Sequence, residues 1–436
     1  MNNELKLFFY KNRRWIYCLE YIFYSVILLA IVTYIDSSYS GAGSHIPRFM
    51  LSSVSLAKTV LSSLVAALLT ITTFTFSTIL TVFSLYHNSF TPRSVENFLD
   101  KKITMKVLGI FIGGFVYCLV SLNFMEAAWD ERLVIAGTVG VIYAIWAAIY
   151  FVIFVQTVLN GINYTNLLEE ISENTEKLIE KEIEARNFEY VNEDELTKNQ
   201  VELLANETGY LELIGMDKLK SLIEEEDVVL TIASSIGDFV MKGETIAYLS
   251  RDVFDYETIE KIQNQFTFTQ KRIAEEDYKE GIRKISEIAV RALSPGINDP
   301  NTAIHCIRKI CILLAELAKV DGHYHYIETD GMARIYYTSK TFKETLIEHI
   351  YPILNYGESD ASVLRSIFQG LLLIKMGATP TNRKIVTEMC EDIYNNAVQN
   401  FHREMDLELF MDVYQEIITG SKEENEIEYE IIIKND

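Results

Sequence analysis

Four long apolar stretches crowd into residues 15–159, and nothing else in the chain limits its fold so tightly. A helix needs about 20 apolar residues to cross a bilayer. The stretches at about 15–35, 51–86, 107–125 and 133–159 approach or exceed that length with few charges. Residues 1–159 therefore read as an α-helical four-span membrane domain. The second stretch is too long for lipid alone: as a helix it would extend about 54 Å, against a hydrocarbon core of about 30 Å. It is expected to tilt, break or project, with its C-terminal end reaching the cytosol. The apolar run from Trp15 exceeds a signal-peptide core and lacks a small-residue cleavage site, so it reads as a retained helix.

Charge divides the chain in the same place. Residues 1–159 carry 11 Lys/Arg against 8 Asp/Glu, a balance of +3; residues 160–436 carry 28 against 53, a balance of −25. So acidic a portion is repelled by nucleic acid, and no nucleic-acid partner is expected. Basic residues gather before the first span (Lys6, Lys11, Arg13, Arg14) and between the second and third (Arg93, Lys101, Lys102, Lys106). Positive charge stays inside, so the expectation is a multi-pass protein of a bacterial cell (inner) membrane with both termini cytoplasmic. Of five cysteines, none forms a CxxC pair, which suits reduced thiols in a cytosolic compartment.

Inside the spans, Thr59, Ser63, Thr70, Thr73, Ser77 and Thr81 recur at helical spacing, with Ala66 filling the one gap. They share one face of the second helix. That face either packs, its hydroxyls bonded to their own backbone, or lines a watery path where subunits meet around an axis. Asp36, Glu126, Asp130 and Glu131 fall on the outer side and would concentrate cations at such a mouth. Glu20 either snorkels to the inner interface or pairs with another helix. Gly109 with Gly113, and Gly137 with Gly140, give the third and fourth spans small faces, for packing within or between subunits.

Beyond the spans, residues 160–200 read as a helical extension of the fourth span and a linker. Residues 201–255 read as a small β-rich domain, with strands near 209–214, 228–233 and 245–249 and a helix at 216–225 capped near Asp217. Residues 256–436 read as a mainly helical cytosolic domain with a hairpin near 323–337 and helices at 342–353, 361–376 and 383–419, while 427–433 read either as a last strand or as a frayed tail. The fold class is thus a four-span membrane domain followed by an α+β cytosolic region, combining a barrel-sandwich-like β element with a helical bundle. His323 and His325 share one strand face and are weak metal candidates, with no Cys or HExxH nearby. In Leu293-Ser294-Pro295-Gly296-Ile297-Asn298-Asp299-Pro300, proline and glycine stop one helix before the next begins. This is either a tight turn or a loop presenting Ser294, Asn298 and Asp299 to a ligand.

Two resemblances enter here. The run Gly237-Asp238-Phe239-Val240-Met241-Lys242-Gly243 through Ala247 is similar to the turn-and-strand of biotinyl/lipoyl-like domains, without their exposed attachment lysine, so no tethered cofactor is expected. The core ALSPGINDP resembles the hallmark of a bacterial family of predicted membrane proteins of unknown function. Phe74-Thr75-Phe76-Ser77, Ser89-Phe90-Thr91-Pro92-Arg93, Gly209-Tyr210 and Tyr356-Gly357 with Asp360 extend that likeness over nearly the whole chain. The resemblance implies four spans and a cytosolic C-terminal domain, and brings no catalytic residues. The chain has no GxxxxGK(S/T), GxSxG, HExxH or GxGxxG in a βαβ setting, so no enzyme is expected. The functional expectation is a homo-oligomeric ion channel or channel-like transporter that passes cations through the bilayer and carries a cytosolic regulatory domain. The alternative is a membrane-anchored sensor or scaffold that binds a cytosolic partner or small ligand.

Overall fold

The structure, a computed structural model, describes residues 13–38, 47–89, 102–125, 133–162, 164–186, 201–250, 256–270, 277–322, 324–329 and 332–419. The chain divides into two compact units, Met1–Leu167 and Leu168–Asp436.

The first unit holds α1 (Arg13–Ser38), α2 (Val54–Ser89), α3 (Lys102–Phe124) and α4 (Ala136–Ile162). Each contains a stretch long and apolar enough to cross a membrane: Trp15–Ser37, Val54–Ser84, Ile103–Phe124 and Ala136–Leu159. α2 is one unbroken helix of 36 residues, so its excess length is not absorbed by a break. α3 is the hub. Half of its apolar window is buried, against 22% in each of the others, because it packs on α1, α2 and α4.

The glycines explain how the helices come so close. A Cβ on Gly109 would stand 2.6 Å from the Cys18 carbonyl oxygen, and one on Gly113 would strike the Ser25 hydroxyl. Both small faces serve packing within the subunit, since Gly137 abuts Ala57 and Gly140 abuts Leu61 of α2. Ahead of α2 and α4, β1 (Ser52–Ser53) and β2 (Leu133–Val134) form a short antiparallel pair.

The second unit begins within α5 (Tyr164–Ala185). Helix is described on both sides of residue 163, as α4 to Ile162 and α5 from Tyr164; residue 163 itself, on which the expected continuity from the fourth span turns, lies outside the described residues. From Leu168 onward, α5 buries Leu168, Ile171 and Ile179 and holds its glutamates outward, the pattern of an amphipathic helix.

The β element comprises β3 (Val201–Leu204), β4 (Gly209–Ile214), α6 (Met216–Glu226), β5 (Leu230–Ile232), β6 (Phe239–Val240) and β7 (Thr245–Leu249). After α7 (Tyr256–Gln263) comes β8 (Phe266–Thr269), a strand where helix was expected. α6 is capped by the Gly215 backbone, not by Asp217, which sits in its first turn near the positive helix end.

Two sheets result, one in the order β6-β4-β8. The other runs β3-β7-β5-β10-β9 and recruits a distant hairpin, β9 (Tyr324–Thr329) with β10 (Met332–Thr338). β10 lies parallel to β5, with Ile335 opposite Leu230. The hairpin expected beside the helices is therefore part of the sheet, because Ile335 completes a core with Leu230, Leu249 and Ile223. Gly237 (φ +90°) and Gly243 (φ +87°) turn through the left-handed region, as the glycine-rich motif requires.

The bundle comprises α8 (Tyr278–Leu293), α9 (Pro300–Leu317), α10 (Phe342–Gly357), α11 (Ala361–Gly377), α12 (Pro380–Asn400) and α13 (Glu404–Thr419). α11 sits among α9, α12 and α13. The single helix expected over 383–419 breaks at residues 401–403 and doubles back. Tyr394 stacks on Tyr414 with centroids 3.7 Å apart, and Phe401 meets Phe410 at 5.8 Å. The expected strand at 427–433 lies outside the described residues.

Candidate functional site

Thr59, Ser63, Thr70, Thr73, Ser77 and Thr81 stand exposed along one face of α2, with Ala66 among them. Five of the hydroxyls donate to the carbonyl one turn back: Thr59 to Ser55, Ser63 to Thr59, Thr70 to Ala66, Thr73 to Leu69 and Thr81 to Ser77, at 2.8–3.0 Å. Each proton is thereby used locally, and the oxygen lone pairs are what remain to face outward. Beside Thr70 an open groove of about 540 Å³ is lined by Ala66, Ala67, Ile71, Phe74 and Phe151. The exposed face of α4 differs: Ile142, Ile145, Ile149 and Val152 form an apolar run, followed one turn on by the exposed Gln156.

Of the four acidic residues expected on the outer side, Asp36 lies among the described residues, and it is buried. Asp36 is 5% exposed, and its carboxylate accepts from the Ile135 and Ala136 amides at 2.9 and 3.3 Å. It caps the N-terminus of α4, where orphan N–H groups and the helix dipole favour an anion. It is therefore not a solvent-facing acid of an outer mouth. Glu126, Asp130 and Glu131 lie outside the described residues. Glu20 accepts from the Tyr24 hydroxyl at 2.8 Å. Deeper in the bundle, the Ser25 and Tyr143 hydroxyls meet at 2.9 Å, while Tyr143 donates to the Ile110 carbonyl at 2.7 Å.

In the second unit, the ALSPGINDP turn ties its Ser294 and Asp299 side chains back to neighbouring residues. Asp299 caps α9, accepting from the Thr302 amide at 3.1 Å and the Thr302 hydroxyl at 2.6 Å. That hydroxyl bond, then the amide, holds its carboxyl below the usual range. The Ser294 hydroxyl donates to the Arg291 carbonyl at 2.6 Å. Asn298 is exposed at φ +50°, and it closes the turn through its amide to the Ser294 carbonyl at 2.9 Å. The turn thus engages the Ser294 and Asp299 side chains and the Asn298 backbone, while the Asn298 side chain stands exposed. Gly357, from the other motif segment, packs its Cα between Val363 and Leu293, so the two segments meet at the end of α8. His323 lies outside the described residues and His325 lies in β9. Among the described residues no group of three His, Cys, Asp or Glu could hold a metal ion.

A cluster with no sequence signature lies where α8, α10 and the end of β10 meet. Glu348 takes Arg283 on one oxygen at 2.8 Å and Lys340 on the other at 2.7 Å. Arg283 also reaches Glu280 at 3.5 Å. Burial pushes the Glu348 carboxyl up, but the Lys340 hydrogen bond and the Lys340, His349 and Arg283 charges outweigh it and bring it to about 2. Asp277, Lys279, Glu280, Ser286 and His349 are all buried nearby on α8 and α10 or at their ends. Periodicity cannot reveal such a cluster. The one available signal was the density of charge in the first two turns of α8. α5 packs on both α8 and α9: Thr175 fills the space beside Gly281 of α8, and Glu169 pairs with Lys309 of α9 at 3.0 Å.

Comparison with known proteins places these features in context. Residues 11–372 match a family described as predicted membrane protein (DUF2254). Uncharacterized proteins of Mycobacterium bovis and Mycobacterium tuberculosis are each 22% identical to the chain over 331 residues, covering 71% of it. The matched region spans 62% of the length of those relatives. No solved structure matches the chain.

Proposed function

The chain belongs to the DUF2254 family of predicted membrane proteins, and on that premise we propose that its subunits assemble around the hydroxyl face of α2 into a channel-like path for cations. The observation that carries this reading is the contrast between two exposed helix surfaces. α4 shows lipid the Ile and Val side chains that lipid solvates well. α2 instead exposes an unbroken file of Ser, Thr and Ala at 59, 63, 66, 70, 73, 77 and 81. With their protons bonded backward, five of those hydroxyls offer outward lone pairs. Such a surface replaces part of the hydration shell of a cation and gives an anion nothing to hold. Leu56, Leu69, Phe76, Leu80 and Phe83 flank the file as exposed apolar residues and would seal contacts to neighbouring copies or lipid.

The positive-inside bias supports a cell-membrane orientation with both termini cytoplasmic. The second unit would then lie in the cytoplasm as the regulatory part. Purified full-length protein in liposomes should pass a potassium or sodium current. Thr73→Leu and Ser77→Leu should each abolish it while the protein still elutes as the same oligomer. Undiminished current in both variants removes α2 from the path, and absence of any current in the wild type removes the channel.

A further inference from the structure

We infer that Lys106, with the phenols of Tyr21 and Tyr150, forms a seat for the phosphate of an anionic lipid headgroup. The inference rests on the bundle being embedded in lipid and is independent of the proposed pore. Lys106 lies about one turn inside the Ile103–Phe124 span, where an ammonium is costly unless compensated. Its Nζ is 4.6 Å from the Tyr150 ring centroid and 5.1 Å from that of Tyr21. Both lie inside the roughly 6 Å reach of a cation–π contact. Three helices thus converge on one point: α1 through Tyr21, α3 through Lys106 and α4 through Tyr150.

Ring faces attract an ammonium without neutralising it. Among the described residues no carboxylate comes within ion-pair distance of Lys106, and Glu20 is engaged by Tyr24. Neither phenol has a hydrogen-bond acceptor among those residues. Among the described residues the point therefore combines a positive charge that no carboxylate matches with two phenols, whose oxygens accept from the ammonium and whose O–H groups are left to donate. That donor set suits a singly charged phosphate diester, whose oxygens accept both hydrogen bonds while its charge cancels the lysine.

Position favours a headgroup as the source. The contacts of Gly109 with Cys18 and of Gly113 with Ser25 make α1 and α3 run parallel. Their first turns, with Arg13, Arg14 and Lys102, therefore mark the same end of the bundle as Lys106. A basic pocket between helices at the membrane boundary attracts anionic lipid, worth about 1 kcal/mol per cation.

The test uses full-length protein taken from nanodiscs of mixed phosphatidylcholine and phosphatidylglycerol, with retained lipid counted by native mass spectrometry. The wild type should retain phosphatidylglycerol in preference. Lys106→Gln should lower that retention about fivefold, and Lys106→Arg should keep it. Tyr21→Phe with Tyr150→Phe, which preserves both ring faces, should give an intermediate loss even if Lys106→Gln proves unstable. Equal retention of the two lipids by the wild type, or no loss in both Lys106→Gln and the double phenylalanine variant, overturns the site. Displacement of the lipid by inorganic phosphate alone would overturn the headgroup and assign the seat to free phosphate.

Discussion

Glu348→Gln is the perturbation whose outcome the structure fixes most closely. The glutamate holds two cations at hydrogen-bond distance with its side chain 27% exposed. Holding its carboxyl at about 2 instead of 4.5 corresponds to about 3 kcal/mol of differential interaction between its two charge states. Residual solvent screening lowers the expected contribution to about 2 kcal/mol. The sign follows from the direction. A carboxyl depressed on folding stabilises fully above its unfolded value and loses that contribution as pH falls from about 4.5 toward about 2. Glutamine keeps the shape and removes the charge, so Lys340 loses this counterion and Arg283 keeps Glu280 at 3.5 Å. For a unit of this size, about 2 kcal/mol is roughly 4–8 °C in melting temperature. Tryptophan fluorescence does not report on the second unit, because Trp15, Trp129 and Trp146 all precede it. Hydrogen exchange of peptides from 278–293 and 342–357, followed on heating the detergent-solubilised full chain, does. The gap between wild type and variant should be full at pH 7 and should narrow steadily below about pH 4.5. A gap under 1 °C at neutral pH, or one that stays constant on acidification, refutes the assignment of this cluster as a stabilising clamp.

Three further outcomes are expected. Asp36→Ala should cost about 1–2 kcal/mol through loss of the α4 cap, with Asp36→Asn milder, as read by thermal aggregation in detergent. Gly281→Val should destabilise by about 1–3 kcal/mol through overpacking against Thr175, and Thr175→Ala should restore part of the loss in a double-mutant cycle read by hydrogen exchange. Burial pushes the Cys306, Cys311 and Cys390 thiols up to about 12. All three should therefore resist maleimide at pH 8 in the folded protein and label fully in denaturant, as counted by intact mass.

What sequence reading could reach was whatever shows within one segment. The four spans announce themselves by apolar length, the α2 face by a period of 3.6, and the strands Gly209–Ile214 and Thr245–Leu249 by short apolar runs between turn residues. The short strands β3, β6 and β8 do not, because two to four residues hold too little pattern. Tertiary packing defeated local reading elsewhere. The turn at 401–403 contains no Gly or Pro, and the aromatic stack of Tyr394 on Tyr414 is what folds the chain back. Asp36 looked like a surface acid because its amide partners lie about a hundred residues away. Arg283 and Glu348 meet across 65 residues, so no local pattern links them.

The parallel pairing of β10 with β5 has a consequence for how the polypeptide is made. Leu230 must wait for Ile335, roughly a hundred residues later, before its sheet is complete. While the ribosome produces the intervening segments, the inner strand β5 carries a bare edge that invites pairing with another nascent copy. Expression fragments ending near residue 255 or 320 would carry that open edge permanently, so they should precipitate where the chain through residue 419 stays soluble in detergent.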